Sequence, residues 1–164
     1  MRRYFIPMAV ASLLLLVGCT TATPPATPPA TEEPKAPVAQ TVWTDTLSTK
    51  SYEDWKPAPG YETKQPAKGP HGESVEIFVD PTIEETLAQS GPTTWDSGSM
   101  IVKEAYDATG AMESVEYMQK TDEGWYFASF KPDGTVNKEG VEVAPCQPCH
   151  VKGSDSVMAF KLPQ

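Results

Sequence analysis

The run Ser99-Met100-Ile101-Val102-Lys103-Glu104-Ala105-Tyr106, followed by Asp107 to Gly110 and then Ala111 to Lys120, reads as strand, turn and strand. A second turn at Thr121 to Gly124 leads into another strand, Trp125 to Lys131 (WYFASFK). Pro132-Asp133-Gly134 then turns the chain again, because proline presets φ and glycine permits a positive one. Upstream, Ser74 to Val79 alternates Val75, Ile77 and Val79 against Glu76 and Phe78, the period of a strand. Asp80 can cap a helix that has Pro81 at its first position and Glu84 and Glu85 in its early turns. That helix runs to about Gln89 and stops before Gly91-Pro92. Tyr52 to Trp55 is a short helical turn, a short helix carries Cys146 to His150, and Ser156 to Leu162 reads as a last strand or edge. Together these predict an α+β fold, mainly antiparallel β-sheet with a few short helices.

Near the C-terminus stands Cys146-Gln147-Pro148-Cys149-His150. Two thiols three residues apart can add across the two vinyl groups of a haem, and the adjacent histidine then falls under the iron. The motif therefore predicts one covalently attached haem c, with Cys146 and Cys149 as thioethers and His150 as proximal metal ligand. A zinc reading has only His71 as a further histidine and no credible fourth ligand. A thioredoxin-like pair would open a long helix after a strand, whereas little chain follows Cys149. A four-helix cytochrome also carries this motif near its end, but Gly and Pro interrupt every stretch long enough for such helices. The aromatic set Trp125, Tyr126, Phe127 and Phe130 reads equally as a haem wall or as sheet core.

The N-terminal segment has Arg2 and Arg3, an apolar run around Leu13 to Val17, and a small residue before Cys19. This is an export signal, too short for a stable membrane span. Leu16-Val17-Gly18-Cys19 has the form of a lipobox, which makes 1–18 a lipoprotein signal peptide and Cys19 the lipid-bearing residue; an ordinary signal with an incidental cysteine is the plainer alternative. With Cys19 acylated and two cysteines on haem, all three thiols of the chain are used. Thr20 resembles the residue that sorts lipoproteins to the bacterial outer membrane, with the haem domain in the periplasm. Residues 19–41 are rich in Pro, Thr and Ala and form a tether, reaching about 60 Å at roughly 3.1 Å per residue. Residues 42–164 form one domain holding all four tryptophans. Without Arg2 and Arg3 the formal charge moves from −9 to −11, which argues against nucleic acid and against adhesion to anionic lipid by charge. The anchor, not charge, would hold the protein at the membrane.

The order of these elements resembles the cytochrome P-460 family, which includes cytochrome c′-β. The resemblance rests on Tyr52-Glu53-Asp54-Trp55, His71-Gly72, Val79-Asp80-Pro81, Gly98 to Glu104, Gly124 to Phe127, the Cys146/Cys149/His150 motif and Val157 to Phe160. It implies a periplasmic, often dimeric β-sheet protein with one five-coordinate haem c and an open distal side. Some members oxidise hydroxylamine; others bind nitric oxide or carbon monoxide. In the oxidising branch a lysine of the V-K-E strand is joined to the haem ring, and that position matches Lys103; an exposed strand lysine paired with an acid is the bland alternative. The same branch uses a distal carboxylate as general base. Glu113 is the first match and Glu116 the second, and on a strand the two point to opposite faces, so at most one lines a pocket. Three functions follow: a gas-binding or redox haem protein, a hydroxylamine-oxidising enzyme, or a simple electron carrier. The carrier would take its sixth ligand from Met100, Met112, Met118, Met158 or His71 and would pass electrons to a periplasmic partner.

Overall fold

The computed structural model describes residues 37–164. The signal segment, Cys19 and most of the tether lie outside the described residues. Seven strands form one antiparallel sheet: β1 (Lys56–Pro57), β2 (Gln65–Pro66), β3 (Ser74–Val79), β4 (Met100–Tyr106), β5 (Met112–Thr121), β6 (Gly124–Phe130) and β7 (Val136–Val141). From β3 to β7 each strand pairs with the next, while β1 and β2 share the outer edge of β3. The α+β architecture with a mainly antiparallel sheet is as expected, and β3 to β6 fall within a residue or two of their predicted limits.

Alternation along the strands gives the sheet two apolar faces. One face carries Val75, Ile77, Val79, Ile101, Met118, Trp125 and Phe127, and it packs with Ile83, Trp95, Val157, Phe160 and Leu162. The other carries Val102, Val115, Tyr117, Tyr126, Ala128 and Phe130, and it is covered by the N-terminal segment. That segment comprises α1 (Ala39–Val42), a π-turn at Trp43–Leu47 and a 3-10 turn at Ser51–Asp54. Trp43 tilts onto Phe130 with ring centroids 5.5 Å apart, and Tyr52 meets Phe78 edge-on at 5.4 Å. Buried Glu104 is satisfied there by the Tyr52 and Tyr106 hydroxyls, at 2.6 and 2.5 Å.

Two expectations need correction, and one strand is new. Ala39 is buried and helical, so folded structure reaches into the segment assigned to the tether, whose apolar residues here find a sheet to cover. Ser156 to Leu162 forms no strand; a single bridge pairs Ser154 with Val157 and the rest packs without a ladder. β7 carries no signal in the sequence, because its largely exposed VNKEGV shows no apolar alternation and its pairing to β6 is made by the backbone.

The helix after β3 is α2 (Pro81–Leu87), shorter than predicted at its C-terminal end. Asp80 caps it through a bond from the Ile83 amide at 3.1 Å, and the same Oδ1 accepts the Met100 amide at 3.0 Å. Asp80 is buried, so one carboxylate ties the start of α2 to the start of β4. Asp80→Ala is expected to cost about 2–3 kcal/mol by removing a cap and orphaning a buried amide. Urea unfolding of the haem-loaded protein measures this, and Asp80→Asn should lose less.

Candidate functional site

The register of the first face builds a cavity floor. Ile77, Lys103, Glu116, Ser129 and Lys138 pair successively across β3 to β7. Val79, Ile101, Met118 and Phe127 form the adjacent row, two residues along each strand. One row supplies amine, carboxylate and hydroxyl groups, and the other is apolar. All of these but Val79 border a cavity of about 300 Å³ that is also lined by His71, Cys146, Cys149 and His150. A site of this kind, mostly apolar with a few convergent polar groups, suits a large flat cofactor.

The C-x-x-C-H motif lies on α3 (Gln147–His150), a single turn. The amides of Cys149 and His150 both donate to the Cys146 carbonyl, at 3.3 and 3.2 Å. Helical geometry puts residues three apart on one side, so the two thiols face together. Cys146 is partly buried and Cys149 exposed, and both are free thiols.

The His150 Nδ1 lies 2.9 Å from the Ser156 carbonyl oxygen. A carbonyl only accepts, so Nδ1 carries the hydrogen and Nε2 keeps its lone pair. That is the tautomer of an imidazole that ligates a metal through Nε2. Burial pushes the His150 pKa below its ordinary value; the Ser156 bond opposes this, while Lys103 and His71 add to it. The ring is held edge-on against Phe127, centroids 5.0 Å apart. Haem fits these residues: paired thiols, a neutral imidazole with a free nitrogen, and one apolar cavity between them.

The predicted site residues divide by face. Lys103 lines the cavity, and burial pulls its amine down to about 8 although Glu116 and Cys146 act to raise it. Glu116 also lines the cavity, accepting from Ser114 Oγ at 2.8 Å with His71 Nδ1 at 3.7 Å. Burial pushes Glu116 up, but His71, Lys103 and Ser114 outweigh it and hold the carboxyl below its ordinary range. Glu113 does not reach the cavity. It is the unpaired residue of a bulge, since Ala105 faces Ser114 and Tyr106 faces Met112, and its side chain is exposed. The carboxylate of this site is therefore Glu116. Counting back from the two-residue Asp122-Glu123 hairpin places Glu116 in step with Met118, a signal present in the sequence. Met118, Met158 and His71 border the cavity, whereas Met100 and Met112 pack against the other core. Phe127 walls the site; Tyr126 and Phe130 belong to the opposite face.

His71 owes its position to Gly72, which has φ +70° and sits so close to Tyr106 that a Cβ would lie 2.6 Å from its carbonyl oxygen. Gly153 has a similar role on the other side of the site. A Cβ there would run into the Val157 carbonyl, so only glycine lets the chain return beneath His150.

The Cytochrome P-460 family model matches residues 49–161, a span that includes Lys103, Glu116 and the whole Cys–His motif. No curated protein matches the chain.

Gly153→Ala is expected to destabilise the haem-loaded protein by about 1–3 kcal/mol, the cost of forcing a methyl into packed backbone. Chemical unfolding followed at the haem band reads the loss, and Gly72→Ala should behave likewise.

Proposed function

The chain belongs to the cytochrome P-460 family and is a haem protein, and from that premise we propose that it is a c-type cytochrome with an open distal side that binds or redox-processes a small ligand of the nitric oxide or hydroxylamine class. One haem would be joined to Cys146 and Cys149, with His150 as its proximal ligand. The observation that carries this reading is the His150 Nδ1 bond to Ser156, which leaves Nε2 free beside two thiols in one cavity. Haem bound there supplies a redox-active iron. The chain's own residues would bind and orient it: Phe127 and Ile101, which line the cavity, would give apolar contact, and the lining Lys68 and Lys138 would offer amines to its carboxylates.

A second reading is favoured by Lys103. An amine whose pKa burial lowers to about 8 is in part neutral near neutral pH, and a neutral amine has the lone pair for a bond to a haem-ring carbon. That bond would replace one N–H and one ring C–H, a two-electron oxidation in which a peroxide-class oxidant would be reduced to water. Glu116, held ionised, would take protons from a bound hydroxylamine. In this reading the protein is a hydroxylamine-oxidising enzyme with Lys103 cross-linked and Glu116, in place of Glu113, as base. A simple electron carrier would need Met118, Met158 or His71 to close the sixth position, and His71 is engaged with Glu116.

We further propose export through residues 1–18, a lipid anchor at Cys19 in the bacterial outer membrane, a periplasmic haem domain, a periplasmic electron partner and a homodimer. The acidic balance of the chain supports an anchor of lipid in place of surface charge.

The dithionite-reduced, haem-loaded protein should give a high-spin spectrum that shifts on adding carbon monoxide. No shift would remove the open distal side. A reduced Soret band displaced strongly to the red would mark the Lys103 cross-link, and Lys103→Ala should then abolish that displacement and hydroxylamine oxidation while haem is retained. Replacing Cys146 and Cys149 together by alanine should leave haem extractable by acid acetone.

A further inference from the structure

The turn Ser154-Asp155-Ser156-Val157 is closed by two backbone bonds, Ser154 N to Val157 O at 2.9 Å and Val157 N to Ser154 O at 3.1 Å. Its central residues have φ of 45° and 65°. Positive φ at both centres is the signature of a type I′ turn, in which Asn-Gly is the relaxed choice. Here the residues are Asp and Ser, and such a conformation persists only where surrounding contacts over-determine it.

Those contacts converge on Asp155. Its two carboxylate oxygens each lie 2.9 Å from Lys120 Nζ, and Oδ2 also accepts the Trp95 amide at 2.9 Å. Lys120 and Asp155 side chains are each only 18% exposed, so solvent screens the pair weakly. Trp95, fully buried, donates its indole N–H to the Ser154 carbonyl at 2.9 Å, and the Leu162 amide donates to Ser154 Oγ at 3.1 Å. Lys120 stands on β5 and lies over the Trp125 ring of β6, 5.6 Å from its centroid. The sheet thus grips one residue of a strained turn, and the next residue, Ser156, offers its carbonyl to His150.

We propose that Asp155, clamped by Lys120 and Trp95, is a positioning residue for the axial ligand: the clamp holds the Ser156 carbonyl on His150 Nδ1 and thereby sets how strongly the imidazole donates to the iron. A hydrogen bond at Nδ1 raises the basicity of a ligating histidine and fixes its ring. Stronger donation stabilises the oxidised iron and strengthens the iron–nitrogen bond. The inference rests on the reading of His150 as proximal ligand.

The test compares the reduction potential and the resonance Raman iron–histidine band of the haem-loaded full-length protein with Asp155→Ala, Asp155→Asn, Lys120→Met and Lys120→Arg. Direct charge effects would move the potential in opposite directions, up when Asp155 is removed and down when Lys120 is removed. Loss of the clamp moves it upward in both and lowers the iron–histidine frequency in both. Asp155→Asn tolerates positive φ and keeps an acceptor for Trp95, so a smaller upward shift is expected; Lys120→Arg should restore wild-type values. Opposite shifts, or unchanged values in both Asp155→Asn and Lys120→Met, overturn the inference. His150→Ala separates the underlying reading: a histidine band that survives it overturns the ligand assignment and the inference with it, whereas its loss together with opposite shifts overturns the inference alone.

Discussion

Pairing of Lys103 with Glu116 across β4 and β5 is the constraint on which the site depends. Side chains alternate with a period of two, so a one-residue slip of β5 against β4 would send Glu116 to the opposite face and bring Tyr117 into its place beside Lys103. The register is held where it is because both faces are buried. Ile101 and Met118 must meet one apolar layer, and Val102 and Tyr117 must meet the other. A polar row can lie beside an apolar row in this sheet because the C-terminal segment leaves a cavity over it. The same sheet therefore acts as core along one row and as binding surface along the next.

The two layers on the sheet are held in different ways. The N-terminal layer rests on aromatic contacts and on the bonds of Tyr52 to Glu104 and of the Ala39 amide to Glu139. The C-terminal layer has almost no ladder of its own. It is fastened by bonds between side chains and backbone, through Asp155, Trp95 and Ser154, and by burial of Val157, Phe160 and Leu162. A segment fastened at points can shape a cavity, since its backbone is not obliged to follow the sheet.

Much of this was legible in the chain. β3 announces itself by alternation, and β4 to β6 as runs rich in apolar and aromatic residues bounded by turn signals. Asp80-Pro81 marked the start of α2 through capping chemistry that acts locally. The Cys–His motif carries its meaning in its spacing. The rest depends on contacts distant in sequence. β7 is polar and shows no period. The Ser156 to Leu162 run is apolar enough to suggest a strand, yet its residues are buried singly against Trp95 and the sheet. Glu113 stands ahead of Glu116 in a reading of the sequence, because the bulge opposite Ala105 and Tyr106 leaves no local mark. Asp155 and Ser156 are unremarkable in sequence; their weight comes from Lys120 and Trp95, tens of residues away.

The order of strands has a consequence for how the molecule comes together. From β3 to β7 every strand pairs with its immediate successor, a meander whose contacts are short in sequence and close quickly. The residues proposed to bond the haem and its iron, Cys146, Cys149 and His150, follow the last of these strands and contribute nothing to their pairing. A chain that emerges with its N-terminus first thus presents a complete sheet before Cys146 appears. Nucleation can proceed without the prosthetic group, and the thiols arrive last, on a tail that docks onto a finished template.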